Sequence, residues 1–298
     1  MTYSATLIGR LLGFAVAASP LLVMQSAKAA RFLDRPEGRI AYDDTGAGPL
    51  VVLVPGLGDV RAEYRFLAPQ LVAAGYRVVT TDLRGHGESS VTWSDYSSSA
   101  LGSDIVALVR HLDAGPAYLV GTSMGAGAVA WAAADAPDAV RGLVLIGPFV
   151  REVPPASKIG AAAQKLMMRV AFATPWSATL WGKAYESFYA AVPEDFTSYR
   201  AGLVANLKEP GRIDALEGMM MASKKDVEAR LADVRTKVLV VMGTNDPDFA
   251  DPRVEADTVA GLLGGRVHMV QGAGHYPQVE APATVGPAIA AFLGEERS

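Results

Sequence analysis

The sequence predicts an α/β fold with a mostly parallel sheet of about eight strands, helices on both faces of the sheet and an inserted helical cap. Three observations predict this class. Short apolar runs alternate with segments of helical spacing, which is typical of βα units and a parallel sheet. The run Leu50–Val54 is continuously apolar, as a strand covered on both faces requires, and Val140–Ile146 is a further, largely apolar strand. From Gly147 to about Asp233 the alternation stops and aromatic residues and methionines are frequent, which we interpret as the inserted cap.

Length and composition limit the classes of function. At 298 residues, of which 50% are hydrophobic and 19% charged, the chain can form one large α/β domain with an insertion and a substantial core. The net charge of −4 offers no basic patch, so nucleic acid is not an expected partner. The absence of cysteine excludes disulfides and thiol catalysis. The four histidines include no pair at metal-ligand spacing, so we expect no metal site.

The first 30 residues have a pattern of their own. Arg10 is followed by a mostly apolar stretch at residues 11–24 and then by Ala27-Lys28-Ala29, which is typical of a secretory signal peptide. The positive charges of Lys28 and Arg31 beyond the apolar stretch oppose export. The alternatives are a membrane anchor through residues 11–24 or a helix packed on the protein. The first two interpretations imply an exported (periplasmic or secreted) or membrane-associated protein, and the alternative location is cytoplasmic.

The elements of the core follow in order from Arg31. Two short strands at 31–34 and 39–44 flank Pro36-Glu37-Gly38, a hairpin turn signal. Apolar strands and one-sided apolar helices then alternate, in the order strand 50–54, helix 63–74, strand 77–81, helix 100–112, strand 117–120, helix 126–134 and strand 140–146. After the cap come strand 238–243, helix 253–263, strand 266–270 and helix 283–293. We therefore predict a core of residues 31–147 and 233–298, with the cap at 148–232.

The stretch Gly121-Thr122-Ser123-Met124-Gly125 lies between the apolar strand 117–120 and the alanine-rich helix 126–134. A serine between two glycines at a strand–turn–helix junction is the nucleophile-elbow arrangement. The turn holds the serine in a strained backbone conformation, and a Cβ at either glycine would collide with the neighbouring strand or helix. With these residues the chain resembles the α/β-hydrolase superfamily. The resemblance covers residues 31–147 and 233–298, and the cap matches in position but not in sequence.

The resemblance implies a catalytic triad whose members follow the chain order serine, acid, histidine. His86 and His111 precede Ser123 and are therefore not candidates for the base. His268 lies within the strand pattern 266–270, where a structural role is expected. His275, in the loop directly after that strand, remains as the base, because such a loop reaches the carboxyl end of the sheet where ligands bind.

The acid is expected in the loop that follows strand 238–243. There the sequence Thr244-Asn245-Asp246-Pro247-Asp248 resembles the acid loop of the family, with Asp246 at the matching position and Asp248 as the alternative. An aspartate before proline is also typical of a turn, and the two roles are compatible.

Two backbone N–H groups are expected to form the oxyanion hole. One is the amide of Met124, which follows the nucleophile. By resemblance the other is the amide of Leu57 in the loop Pro55-Gly56-Leu57-Gly58. Many relatives begin that loop with His-Gly, and this chain departs from the pattern at Pro55. The segment Asp82-Leu83-Arg84-Gly85-His86-Gly87 also resembles the family, and we expect it to brace loops rather than to take part in the chemistry.

The resemblance implies a serine hydrolase that cleaves a carboxylic ester through an acyl-enzyme, with neither a metal nor an organic cofactor. Aromatic residues and methionines of the cap are expected to line an apolar pocket above Ser123, so the substrate is a small molecule with a hydrophobic portion. Carbon–carbon bond hydrolysis, lactone opening and acyl transfer use the same triad and remain alternatives. A catalytically weak ligand-binding homologue is the alternative from another class. The sequence does not decide the oligomeric state.

Overall fold

The computed structural model describes residues 29–152, 166 and 169–295. The predicted signal peptide or anchor lies outside these residues except for its last two positions. Part of the predicted cap, 153–165 with 167 and 168, also lies outside them. Within the described ranges, no helix combines the length and the apolar character needed to cross a bilayer.

One eight-stranded sheet organises the molecule, in the strand order β1-β2-β4-β3-β5-β6-β7-β8. Strand β2 pairs antiparallel with β1 and with β4, whereas the remaining neighbours are parallel. The mostly parallel sheet predicted from the sequence is therefore confirmed. The strands are β1 (Arg31–Arg35), β2 (Gly38–Gly46), β3 (Leu50–Val54), β4 (Arg77–Thr81), β5 (Ala117–Thr122), β6 (Val140–Ile146), β7 (Lys237–Gly243) and β8 (Arg266–Val270).

Helices cover both faces of this sheet. Successive residues of β3 point to opposite faces, as strand geometry requires, so Val51 and Val52 belong to two different apolar clusters. One cluster packs the sheet against α2, α3 and α8, and the other packs it against α1 and α10. The helices of the core are α1 (Leu67–Ala73), α2 (Ser98–Leu112), α3 (Met124–Asp135), α8 (Pro252–Leu263), α9 (Pro277–Glu280) and α10 (Pro282–Gly294).

The predicted helix at 63–74 is wrong at its start. The chain forms a 3-10 turn at Arg61–Tyr64, and α1 begins only at Leu67. Pro69 explains the break, because its ring would clash with the carbonyl of Arg65 in a continuous α-helix. Within α1 the proline occupies the first turn, where it is tolerated.

Between β6 and β7 the described residues contain helices and no strand, which agrees with the helical character expected there. We call α4 to α7 the inserted helices: α4 (Ser177–Glu186), α5 (Phe196–Leu207), α6 (Arg212–Met221) and α7 (Lys225–Glu228). Their aromatic side chains pack on one another and on the loop that follows β8, through contacts such as that of Tyr185 in α4 with Tyr276, whose ring centroids are 5.3 Å apart. The limits predicted for the cap domain remain a prediction.

Candidate active site

Ser123 stands at the junction between β5 and α3. Its backbone has φ 55° and ψ −117°, a positive φ that residues other than glycine rarely adopt. The turn is held by the Ser123 N–H, which donates to the carbonyl of Ile146 at 2.8 Å. The serine is buried apart from 7% of its surface, which lines a cavity. The strained backbone expected of a nucleophile elbow is therefore present at this residue.

The two glycines that flank Ser123 allow very close backbone approaches. A Cβ on Gly121 would lie 2.4 Å from the carbonyl oxygen of Gly125. A Cβ on Gly125 would lie 2.4 Å from the carbonyl oxygens of both Val54 and Pro55, where β3 ends. Any larger residue would force α3 away from the sheet, which is the collision that the sequence pattern predicts.

The predicted base and acid meet at the carboxyl end of the sheet. His275 Nδ1 lies 2.8 Å from Asp246 Oδ2, and both side chains are buried. The backbone N–H of His275 donates to the carbonyl of Phe188, which anchors this loop to the segment that follows α4. The carboxylate of Asp248, the alternative acid, lies farther from Nδ1, at 3.6 Å, while its backbone N–H donates to Asp246. The geometry therefore favours Asp246 as the partner of the histidine.

Electrostatics make His275 a stronger base than an isolated imidazole. Burial opposes its protonation, but the charge and hydrogen bond of Asp246, followed by the charge of Asp248, together outweigh the effect of burial. The pKa of the His275 imidazole is consequently raised above its usual value of 6.5. Within the described chain, His275 Nε2 has no hydrogen-bond partner. That nitrogen is the one left for proton transfer once Nδ1 is paired with Asp246.

The loop after β3 leaves one amide free between two that are engaged. The N–H of Gly56 donates to Glu63 Oε2 at 2.8 Å, and the N–H of Gly58 donates to His86 Nε2 at 3.1 Å. Leu57, between them, has an N–H without a protein acceptor in the part of the chain that the structure describes. The same holds for the N–H of Met124 at the start of α3. These are the two amides predicted to form the oxyanion hole.

His86 braces this loop, as expected for its segment. Its Nδ1 lies 2.8 Å from the carbonyl of Arg84, so Nδ1 carries the proton and Nε2 accepts from Gly58. Burial lowers the pKa of His86 to about 4, so the ring stays neutral at physiological pH. The hydrogen bond from Gly58 is therefore maintained across the pH range in which His275 titrates.

A cavity of about 510 Å³ connects the nucleophile with the inserted helices. Its size lies within the usual range of small-molecule sites. His275 is the only one of the four histidines among its described lining residues. The described lining is Leu57, Ser123, Phe149, Ala171, Phe172, Ser177, Leu180, Trp181, Ala184, Phe188, Met220, Asp248, His275 and Tyr276. A larger cleft of about 920 Å³, which includes Arg61 and Tyr199, contains none of the predicted catalytic residues.

The cluster of Asp246, Asp248 and His275 also has the composition of a metal site. One ligand atom from each lies within 4.8 Å of the others. His275 Nδ1, which faces the two carboxylates, is already hydrogen-bonded to Asp246. A nitrogen that carries the proton of this hydrogen bond cannot at the same time coordinate a cation. We therefore interpret the cluster as an acid–base pair with a second carboxylate beside it.

Two residues near the site have roles that the sequence did not indicate. Gly147 has φ +50°, and a Cβ there would lie 2.9 Å from Cε1 and Nδ1 of His275. Its position directly after the apolar strand β6 is the only sequence signal for it. Glu63 is buried and accepts the Gly56 N–H, and no local pattern distinguishes it from a surface glutamate on a helix.

Comparison with known proteins matches the chain to one family and finds several enzymes that are similar to it. Residues 49–282 match the model of the alpha/beta hydrolase fold family. A Mycobacterium tuberculosis protein designated non-heme bromoperoxidase BpoC is 37% identical over 108 residues, which span 36% of this chain and 41% of that protein. The 2-hydroxy-6-oxononadienedioate/2-hydroxy-6-oxononatrienedioate hydrolase of Escherichia coli is 27% identical and covers 90% of this chain and 96% of its own. A thermophilic esterase from Thermogutta terrifontis is similar in structure, with a TM-score of 0.75, 25% identity and coverage of 90% of this chain and 99% of its own.

The first prediction concerns Gly147. In Gly147→Ala the added methyl group would collide with the His275 ring, and a displacement of about 1 Å can cost on the order of 100-fold in rate. We expect kcat on a nitrophenyl ester to fall by about that factor. The matched control is Gly264→Ala, because Gly264 also has a positive φ of 61° but no atom within 4 Å of its would-be Cβ. Equal activity losses in the two variants would contradict the contact with His275.

The second prediction concerns pH. With His275 as the predicted base, its neutral form would accept the proton, so kcat/KM should rise as pH increases through its raised pKa, above the usual 6.5. Asp246→Asn removes the main attraction for the proton, so the rise should move to lower pH while kcat falls by about 10⁴-fold. Asp248→Asn should also move the rise in kcat/KM to lower pH, but by less than Asp246→Asn does. A pH profile that Asp246→Asn leaves unmoved would show that this carboxylate does not control the base.

Proposed function

The chain belongs to the α/β-hydrolase fold family, and on that basis we propose that it is a serine hydrolase that cleaves carboxylic esters with a hydrophobic portion. The observation that carries the proposal is the pairing of His275 with Asp246 beside a cavity that the strained Ser123 also lines. A hydrolase-type enzyme agrees with the names of the Escherichia coli hydrolase and the Thermogutta terrifontis esterase. What we propose beyond hydrolase activity is that the bond cleaved is an ester, that Ser123, Asp246 and His275 form the triad, and that the substrate has an apolar portion.

In the proposed reaction, Ser123 Oγ attacks the ester carbonyl while His275 Nε2 takes its proton. The negative charge on the carbonyl oxygen is stabilised by the amides of Leu57 and Met124. The tetrahedral adduct collapses when His275 donates the proton to the leaving alcohol, which produces an acyl-serine. Water then attacks the acyl group, His275 accepts the water proton and returns it to Oγ, and the carboxylic acid leaves. Asp246 keeps the Nδ1 proton in place and stabilises the imidazolium in both halves.

The cavity lining supports an apolar, uncharged substrate. Phe172, Leu180 and Trp181 of the inserted segment face the same space as Ser123. Burial of an alkyl or aryl group there contributes about 25 cal/mol per Å² of apolar surface. Among the described lining residues there is no lysine or arginine, and Asp248 adds a carboxylate at the cavity.

Carbon–carbon bond hydrolysis is the second candidate. It is favoured by the Escherichia coli relative, whose name denotes a hydrolase acting on a dioate, that is, on a dicarboxylate. A dicarboxylate would need cationic partners in the cavity, since unpaired carboxylates are costly to desolvate. The described lining offers none and includes Asp248 instead. We therefore rank ester cleavage first, with lactone opening and acyl transfer as further alternatives on the same three residues. A weak ligand-binding homologue is tested by the experiment below.

The third prediction tests the nucleophile. A fluorophosphonate probe should label the purified protein, and Ser123→Ala should lose both labelling and turnover of nitrophenyl esters, by at least about 10³-fold. The matched control is Ser177→Ala, because Ser177 lines the same cavity and is equally buried at 7% exposure. It should keep labelling and activity. Labelling that survives Ser123→Ala would refute the assignment, and a folded wild-type protein that is neither labelled nor active would support the binding homologue.

A further inference from the structure

Glu63 is a buried acid outside the proposed triad that joins the loops of the active site. It lies in the 3-10 turn after the oxyanion loop, and its residue surface is 1% exposed. One carboxylate oxygen accepts the Gly56 N–H at 2.8 Å, and the other accepts Gln278 Nε2 at 2.7 Å. A buried carboxylate is retained only where partners of this kind replace water.

The two partners of Glu63 belong to different parts of the site. Gly56 precedes Leu57, whose amide is the proposed oxyanion donor. Gln278 lies in α9, directly after the loop of His275. The Gln278 amide also donates to the hydroxyl of Thr122, the residue before Ser123, at 3.2 Å. A single carboxyl group therefore connects the oxyanion loop, the nucleophile strand and the histidine loop.

We infer that Glu63 is a positioning residue that holds the Leu57 amide in register with Ser123 and His275, an inference that rests on the proposed hydrolase function. The two neighbouring amides explain how. Gly56 is fixed by Glu63 and Gly58 by His86, so the peptide between them has one orientation, with the Leu57 N–H left for the substrate. Without Glu63, the Gly56 N–H loses its acceptor and the loop can rotate to find another. Glu63 itself touches neither Ser123 nor His275 by hydrogen bond.

The same loop is anchored from its other side by Asp59. This carboxylate is fully buried and accepts hydrogen bonds from the phenols of Tyr185 in α4 and Tyr199 in α5. Asp59 therefore orients the loop towards the inserted helices, whereas Glu63 orients it towards the triad. Loss of Glu63 leaves the Asp59 anchor in place, so we expect the substrate cavity to persist while the oxyanion donor is misplaced.

The fourth prediction compares Glu63→Ala with Glu63→Gln. Alanine removes both hydrogen bonds, so kcat on a nitrophenyl ester should fall by about 10²-fold, the lower end of the loss seen for one oxyanion donor, with KM changed by less than about threefold. Glutamine can still accept from Gly56. Once the side-chain amide of Gln278 is turned, the new amide can also donate to Gln278 Oε1, which has no donor among the described residues. Glu63→Gln should therefore stay within about fivefold of wild type.

Two inhibitors distinguish a positioning role from a purely structural one. A trifluoromethyl ketone forms a tetrahedral adduct with the serine and needs the oxyanion donors, whereas a secondary alcohol of equal chain length needs only the cavity. In Glu63→Ala the inhibition constant of the ketone should rise in step with the loss of kcat/KM, and that of the alcohol should change by less than about threefold. The matched control is Glu255→Ala, which removes a largely buried carboxylate paired with Arg151 and away from the cavity lining. It should leave both constants unchanged.

The remaining outcomes each decide the inference. Wild-type kinetics in Glu63→Ala, or a parallel loss of ketone and alcohol binding, would overturn it. If Glu63→Ala does not fold, Glu63→Asp serves instead, because it keeps the carboxyl group but is too short for both partners, and it should lose about tenfold in kcat with the same inhibitor pattern. A folded wild type that neither turns over esters nor reacts with the fluorophosphonate would refute the proposed function itself, and the inference with it. A labelled, active wild type with an unaffected Glu63→Ala would refute the inference alone.

Discussion

The close approach of α3 to the end of β3 is the constraint on which the rest of the site depends. Gly125 lets the helix backbone lie against the carbonyls of Val54 and Pro55, and Ser123 in the sharp turn between β5 and α3 has a positive φ. A strained residue of this kind costs on the order of 1–3 kcal/mol and persists only where its surroundings determine it. Here β5 is buried along its whole length between two parallel neighbours. The packing of the sheet therefore stabilises the conformation that exposes the serine hydroxyl.

Buried charge is the second feature that shapes the site. Its energetic cost raises the pKa values of the two acids after β3, Asp59 and Glu63. Burial and the neighbouring Asp59 carboxylate raise the pKa of Glu63 to about 8, and burial raises the pKa of Asp59 to about 6. At neutral pH Glu63 thus holds its proton for much of the time. A neutral carboxyl can still accept from Gly56 with one oxygen and donate to a turned Gln278 amide with the other. Both charge states therefore keep the loop connected, whereas truncation of the side chain would not.

Much of the fold was predictable because the relevant signals are local. Strand β3 occurs at the residues predicted, since a continuous apolar run bounded by turns admits little shift, and β4, β6 and β8 also occur at the residues predicted. The wrong start of the first helix came from apolar spacing that continued through Pro69, whose steric effect overrides it. The candidate triad was chosen from the elbow residues and the chain order, and the structure brings two of its members, His275 and Asp246, into contact. Gly147 and Glu63 were not, because their roles arise from contacts with His275 and Gln278, which are distant in sequence and meet only in the folded chain.

In the proposed reaction, the loop after β3 would link recognition of the apolar group to stabilisation of the oxyanion. The side chain of Leu57 lines the cavity, while its amide is the proposed donor to the carbonyl oxygen. Asp59, two residues on, binds the inserted helices through two phenols, and Glu63 binds the triad side. A substrate that fills the cavity therefore contacts the same short segment that must stabilise charge in the transition state. In the proposed reaction, binding energy from the apolar group can be used at the reacting carbonyl only if this segment is rigid. The buried carboxyl groups of Asp59 and Glu63, one on each side of the segment, make it rigid.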